Sequence, residues 1–145
     1  MRSAYARGLV LAVSALALSL SLVSCGMSKD VSLASGAVSN FHSKLDATKF
    51  ADIYSGADPD LQKASPSGRF SKFMSAVHQK LGNVKDSSMT GFQVNWTTEE
   101  GTVASLTYHT NFEKGAGTES FPWRISGGKA LLLYYNINSD TLVEN

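Results

Sequence analysis

Residues 91–112, GFQVNWTTEEGTVASLTYHTNF, carry the pattern that decides the fold class. Apolar and polar side chains alternate on both sides of a short polar turn at residues 99–101. A period of two residues is typical of a strand with one buried face. The stretch therefore predicts a β-hairpin whose apolar face must be covered by other elements. That face holds Phe92, Val94 and Trp96, followed by Ala104, Leu106, Tyr108, Thr110 and Phe112.

Two further apolar segments follow the hairpin and extend the sheet. They are ESFPWRI, residues 119–125, and ALLLYYNI, residues 130–137. Polar, glycine-containing turns separate them, so the pattern predicts an antiparallel meander of four strands. Pro122 has no N–H to donate to a neighbouring strand, which predicts a bulge or a local sheet edge at that position.

The last predicted strand is apolar on both faces. Leu132 and Tyr134 alternate with the residues that continue the inner face, and they make the outer face apolar as well. An apolar patch on an outer face often marks a partner surface, so both residues are candidate interface residues. The alternative is that a loop or the chain terminus covers this strand.

The segment before the hairpin has the period of helices. Apolar residues recur every three or four positions across residues 31–45, which predicts an amphipathic helix. Thr48 is the predicted N-cap of a short helix at residues 49–54, and a longer helix at residues 68–81 should end at Gly82. Helices followed by a meander predict an α+β fold, with the helices packed on one face of the sheet.

The N-terminus has the features of a targeting segment. Arg2 and Arg7 precede an apolar run of 15 residues at positions 9–23. That length falls short of the roughly 20 residues that a permanent membrane-spanning helix needs. A short apolar run after positive charges is typical of a secretory signal peptide. The run leads into LVSC, residues 22–25, which contains the chain's single cysteine.

LVSC resembles the lipobox of bacterial lipoproteins. The resemblance implies that a diacylglycerol is attached to the sulfur of Cys25, that the signal peptide is cut before it, and that the new amine is acylated. Gly26 stands where an Asp would imply retention at the inner membrane, so the resemblance implies an outer-membrane protein facing the periplasm. The alternatives are a free thiol in a membrane-spanning helix and an unpaired cysteine in a secreted protein.

The order of elements resembles the NTF2-like, or cystatin-like, cone fold, in which helices cover a curved antiparallel sheet. In this chain the predicted sheet has four strands. Small bacterial lipoproteins of uncharacterised function share this pattern. The resemblance is carried by LDATKFADIYSGADPDLQ (45–62), FSKFMSAVHQKLGNV (70–84) and TESFPWRISGGKALLLYYNINS (118–139).

Together these features divide the chain into three parts. Residues 1–24 are the predicted lipoprotein signal peptide, residues 25–32 are the lipidated cysteine and a short polar tether, and residues 33–145 are the NTF2-like domain. A tether of this length keeps the domain near the lipid surface, because a chain extends at most about 3.5 Å per residue.

Charge and histidine spacing argue against two classes of partner. From Cys25 onward the chain has 11 Lys and Arg against 12 Asp and Glu, once Arg2 and Arg7 are set aside. A nearly neutral domain lacks the clustered basic residues that bind nucleic acid. The three histidines, His42, His78 and His109, have no second histidine or cysteine at ligand spacing, so neither a metal nor a cofactor is predicted.

The predicted inner faces carry aromatic polar groups and no clear acid or base. Tyr54, Tyr108, Trp123 and Tyr135 could line an apolar pocket inside the cone. Enzymes of this fold use a buried Asp or His with a shifted pKa, and no such residue falls clearly on the inner faces. We therefore predict that the protein is not an enzyme, with ordinary core aromatics as the alternative explanation of these four residues.

The sequence predicts a membrane-anchored interaction module of the cell envelope. Its partner would be an envelope protein or a second copy of the chain, docking near Leu132 and Tyr134. One alternative is a carrier of a small apolar ligand inside the cone. A less favoured alternative is an enzyme of the isomerase or lyase type.

Overall fold

The computed structural model describes the backbone of residues 6–144 and the side chains of residues 26–144. The helices before the sheet are α1 (Ala6–Asp46), α2 (Phe50–Ser55), α3 (Pro59–Ala64) and α4 (Ser67–Leu81). The sheet contains β1 (Val84–Thr97), β2 (Gly101–Phe112), β3 (Gly115–Ser126), β4 (Lys129–Leu132) and β5 (Asn136–Asn138), and α5 (Asp140–Val143) follows it. The predicted α+β fold is confirmed.

All strand pairs are antiparallel, in the order β1-β2-β3-β4, and β5 also pairs with β3. Residues opposite one another in the ladder share a face, which produces rows of side chains across the sheet. One row joins Phe92, Leu106 and Phe121. β1 and β2 pair as the hairpin prediction requires, and the buried residues of β2 are those that the alternating pattern predicts. The prediction that the apolar face of β1 is also covered is wrong for Phe92 and Trp96, which are exposed.

Helix α1 places its apolar stripe against the sheet. Ala34, Val38, Phe41 and Leu45 are buried, as the spacing predicts. The helix begins well before residue 31, so the predicted tether at residues 26–32 is helical rather than irregular. The predicted signal peptide and the side chain of Cys25 lie outside the residues whose side chains are described. Within the described residues, no helix combines the length and apolar character needed to cross a membrane.

The connection from α1 to α2 differs from the prediction. Thr48 has a φ of 56° and ends α1 in the left-handed region, so it is not the N-cap of α2. Lys49 occupies that cap position and makes no capping side-chain bond. The next turn contains an additional helix, α3, whose cap is Asp58: its carboxylate accepts a hydrogen bond of 2.9 Å from the backbone N–H of Asp60.

The last predicted strand is interrupted, which gives five strands instead of four. β4 pairs with β3 at residues 123–126 and β5 pairs with it at residues 118–120, so Pro122 lies at a local edge, as predicted. The carbonyl of Pro122 accepts from the N–H of Leu133 at 2.9 Å, on the side where the missing proline N–H would point. The strand cannot continue its ladder past this point because one donor is absent.

The interruption separates the two predicted interface residues. Leu132 ends β4 and is only 2% exposed, packed in the core. The prediction that Leu132 lies on an exposed outer face is therefore wrong. Tyr134 lies beyond the break and is 58% exposed, so it alone is available to a partner.

The interior of the domain is filled by aromatic rings around Phe121. This residue is fully buried, and its ring centroid lies 5.1 Å from Phe41, 5.3 Å from Tyr135 and 6.0 Å from Tyr108. Such edge-on and tilted contacts favour tight packing of rings. Helix α1 and the sheet are therefore joined by an aromatic centre.

We predict that Gly82→Ala lowers the free energy of unfolding by about 2 kcal/mol, because the φ of 76° at this position is strained for any residue with a Cβ. The new Cβ would also collide with the side chain of Glu113. Gly36→Ala is the control, because an added Cβ would meet no atom within 4 Å outside the neighbouring backbone of its own helix. Alanine in mid-helix should raise stability by up to about 1 kcal/mol. Urea denaturation measures both, and equal effects would contradict the interpretation.

Candidate functional site

A buried carboxylate lies where the sequence predicted none. Glu119, on β3, is fully buried and faces the helices. Its Oε2 accepts a hydrogen bond of 2.5 Å from the hydroxyl of Thr110 and lies 2.7 Å from Nε2 of His42. Its Oε1 accepts a bond of 2.6 Å from the hydroxyl of Tyr135. The statement that the inner faces carry no Asp, Glu or His is therefore wrong.

The three partners of Glu119 come from three different parts of the chain. His42 projects from α1 and packs its ring against Phe41 and Phe121. Thr110 lies on the inner face of β2, and Tyr135 belongs to the link between β4 and β5. Three hydrogen-bond donors around one carboxylate replace the hydrogen bonds to water that the carboxylate loses on burial. We call these four residues the Glu119 cluster.

Tyr135 stays protonated within the Glu119 cluster. Burial raises the pKa of Tyr135 well above its ordinary value of 10.0, and the charge of Glu119 and the hydrogen bond to it raise this pKa further. The phenol therefore remains a donor at neutral pH. Its ring contacts Phe41 at 4.8 Å on the core side and Phe73 at 6.0 Å on the other.

A carboxylate beside an imidazole can perform acid–base chemistry only where a substrate can reach it. Neither Glu119 nor His42 lines any of the four best-defined cavities among the described residues. Both oxygens of Glu119 are occupied by protein donors. The arrangement is typical of a structural hydrogen-bond cluster that connects α1, the sheet and the link between β4 and β5.

The interruption between β4 and β5 opens a groove on the surface beside this cluster. The cavity has a volume of about 340 Å³ and lies between α3, α4 and residues 133–135. We call it the aromatic groove. Its large apolar lining residues are Leu61, Phe70, Phe73, Leu133, Tyr134 and Tyr135. Arg69, whose side chain is exposed, also lines it.

The four predicted pocket residues do not surround one cavity. The Tyr54 hydroxyl donates to the carbonyls of Gln62 and Ser65, at 3.1 and 2.9 Å, and so links α2 to α3. The Tyr108 hydroxyl lies 2.9 Å from the hydroxyl of Ser35 on α1. Of the four residues, Tyr135 alone lines the aromatic groove.

Trp123 lines a different, small cavity of about 80 Å³. Its indole Nε1 is the single buried side-chain donor or acceptor without a partner among the described residues. A cavity of this size and the orphaned donor suit a bound water molecule, since a water occupies about 30 Å³ in the liquid. The space is too small for the ligand that the pocket prediction requires.

An arginine fixes the start of α3 to the sheet. Arg124 on β3 contacts the carboxylates of Asp58 at 2.7 Å and Asp60 at 3.0 Å. The hydrogen bond from Arg124 lowers the pKa of Asp60, and the nearby Lys63 contributes in the same direction. The contacts add a link that holds α3, one wall of the aromatic groove, against β3.

No group of three or more metal-ligating side chains occurs within the described residues. Nε2 of His78 lies 2.9 Å from Oδ1 of Asn83. His109 is exposed on the sheet face away from the helices. No family model and no curated protein matches the chain.

The sequence contained a signal for Glu119 that the strand prediction did not use. Glu119 has the same parity as Phe121 and Trp123, so it must share their inner face. Pairing Glu119 with His42 needed the position of α1 along the sheet, which no local pattern specifies.

We predict that Glu119→Gln lowers the free energy of unfolding by roughly 3 kcal/mol. The substitution replaces one acceptor oxygen by an amide N–H₂, so a buried donor loses its acceptor and two donors face each other. Glu99→Gln at the exposed hairpin tip is the matched control and should change stability little. Urea denaturation of both variants measures the difference. Equal stability of the two would show that the Glu119 cluster contributes nothing to the fold.

Proposed function

We propose that this protein is a lipid-anchored, non-enzymatic binding protein of the cell envelope, and that the aromatic groove is its binding site. The observation that carries the binding proposal is the contrast between two sites. The Glu119 cluster is sealed and its hydrogen-bonding groups are occupied. The aromatic groove is open and exposes Phe73 and Tyr134.

The anchor proposal rests on the lipobox resemblance at Cys25 and on the apolar run before it. Each buried methylene of an acyl chain contributes about 0.8 kcal/mol, so the two or three chains of a lipoprotein hold it durably on a membrane. Residues 26–32, which follow the proposed attachment point, belong to α1, the helix that packs on the sheet. The attachment point is thus joined to the domain by a helix. By the resemblance at Gly26, the membrane would be the outer one, with the domain in the periplasm.

We propose that the groove binds an apolar segment of an envelope protein that carries an acidic residue. Tyrosine and arginine are enriched where binding energy concentrates in interfaces, and here Tyr134 and Arg69 line the same groove. Arg69 makes no ion pair within the described residues, so it is available to a carboxylate of a partner. A second copy of the chain is the other candidate partner.

The volume of the groove supports a second candidate, the carrier of a small apolar ligand. At about 340 Å³ the cavity is just above the lower limit of roughly 300 Å³ for ligand pockets. Its ligand would lie at the surface, between α4 and residues 133–135, and not inside the cone. We place this candidate second because the lining side chains Phe73 and Tyr134 are about half exposed.

An isomerase or lyase stays the least favoured candidate. The buried carboxylate that such chemistry needs is present as Glu119, and an imidazole lies beside it. Neither side chain lines a described cavity, which argues against access by a substrate.

We predict that Cys25→Ser abolishes incorporation of labelled palmitate, because the sulfur that accepts the diacylglycerol is absent. Ser24→Ala keeps a small residue before the cysteine and should retain the label. The mass of the N-terminal peptide of the purified protein measures lipidation and processing directly. A lipidated, correctly processed Cys25→Ser protein would refute the anchor.

We predict that a photocrosslinking amino acid at position 73 captures an envelope protein in intact cells, and that position 118 does not. Phe73 lines the groove, whereas Thr118 is exposed on the sheet face away from the helices. Tyr134→Lys should remove the adduct, because a charge at that site opposes burial of an apolar segment. Mass spectrometry of the crosslinked peptide should show apolar residues with a neighbouring Asp or Glu.

Three outcomes of the crosslinking experiment would contradict the partner proposal. The first is the same set of adducts at positions 73 and 118, which would mean random collision. The second is an adduct at position 73 that is insensitive to Tyr134→Lys. The third is capture of a small molecule alone, which would favour the carrier.

A further inference from the structure

A second exposed apolar surface lies between α1 and β1. Trp96 is 68% exposed and Phe92 is 55% exposed on β1, and Met27 on α1 is 45% exposed. Met27, Val31 and Phe92 line a cavity of about 290 Å³ between the helix and the hairpin. We call Met27, Phe92 and Trp96 the hairpin patch.

The hairpin patch belongs to the inner face of the sheet. Phe92 lies opposite Leu106 and Trp96 opposite Thr102, so both point to the side that α1 covers. β1 is an edge strand of the sheet, and most of its side chains are exposed. Helix α1 therefore does not cover the whole length of β1. Large apolar side chains at this corner are therefore left open, and such patches mark interaction sites.

The position of Cys25 identifies what would cover this patch. Cys25 precedes Met27 by two residues of α1, which is about 3 Å along a helix axis. Trp96 lies four residues beyond Phe92 toward the hairpin tip, which is about 13 Å along a strand. Since Met27 and Phe92 meet at one cavity, the hairpin extends from the domain at the same end as Cys25.

We infer that the hairpin patch rests on the lipid bilayer to which Cys25 attaches the protein. This inference relies on the proposed lipid anchor and adds the orientation of the domain. Acyl chains at Cys25 fix one point of the protein at the membrane, which leaves the domain free to tilt. A second contact through Phe92 and Trp96 selects one tilt, with the hairpin against the lipid.

The side chains of this corner suit the interfacial region of a bilayer. Tryptophan concentrates at membrane interfaces because its ring is apolar and its N–H seeks a polar partner. Lys29 and Lys129 are exposed and line one cavity beside the N-terminal part of the described α1 side chains, where anionic headgroups would attract them. Glu99 and Glu100 at the hairpin tip oppose deep insertion, because a carboxylate in the hydrocarbon core is costly. The contact is therefore at headgroup depth.

This docking leaves the aromatic groove accessible. The groove lies between α4 and residues 133–135, on elements that contribute nothing to the hairpin patch. A domain seated on its hairpin would hold a bound partner at a defined position relative to the membrane.

Tryptophan fluorescence tests the inference, because the chain has two tryptophans and Trp123 is buried. The mature protein is purified from membranes and reconstituted in phosphatidylethanolamine and phosphatidylglycerol vesicles with brominated acyl chains. The bromines should reduce wild-type emission and leave Trp96→Phe unchanged. In that variant, His109→Trp places a probe on the face away from the helices. This control should be quenched by aqueous iodide and not by the lipid.

The outcomes separate this inference from the anchor on which it rests. If the N-terminal peptide carries acyl chains but iodide quenches Trp96 and the brominated lipid does not, the orientation is wrong while the anchor stands. If Trp96 is shielded from both quenchers and the protein crosslinks as a dimer, a second copy covers the patch and the inference fails. If the peptide carries no acyl chain, the anchor and the orientation fail together.

Discussion

The carboxylate of Glu119 imposes a constraint on the whole domain, because it is fully buried and must be surrounded by donors. The donors are His42 of α1, Thr110 of β2 and Tyr135 of the link between β4 and β5. Each of these elements must therefore hold a fixed position relative to β3. Removing one of the four side chains leaves a buried polar atom without a hydrogen-bond partner, which is costly. The cluster therefore stabilises one arrangement of helix, sheet and link.

The same constraint shapes the proposed binding site. Pro122 withholds the donor that a continuous last strand needs, and the chain leaves the ladder between β4 and β5. Tyr135 directs its hydroxyl to Glu119, and its ring forms part of the aromatic groove. A sealed polar cluster and an open apolar groove thus share one residue. In the proposed setting, the anchor and the hairpin patch hold this groove at a fixed orientation above the membrane.

Local patterns predicted the elements well, and failed where distant segments meet. The alternation in β2 and the stripe of α1 each depend on one face being buried, which sequence period records directly. The break after Leu132 was missed because an apolar run looks continuous, although Pro122 on the neighbouring strand gave part of the signal. The Glu119 cluster was missed because its members are up to 93 positions apart, from residue 42 to residue 135. The groove depends on that break and that cluster, so it was invisible to local reasoning.

Burial and the charge of Glu119 raise the pKa of Tyr135 and keep it a protonated donor. Its hydrogen bond to Glu119 then fixes the floor of the aromatic groove. The most direct test is a pH titration by NMR of protein labelled with ¹³C at the Cζ atoms of tyrosine, with Tyr135→Phe to assign the resonance. We expect that the Tyr135 signal does not titrate at pH 10.0, the ordinary pKa, and that Glu119→Gln lowers the pKa of Tyr135 because the negative charge is removed. A Tyr135 resonance that titrates at or below pH 10.0 in the wild type, or a pKa that is the same in Glu119→Gln, would contradict this expectation.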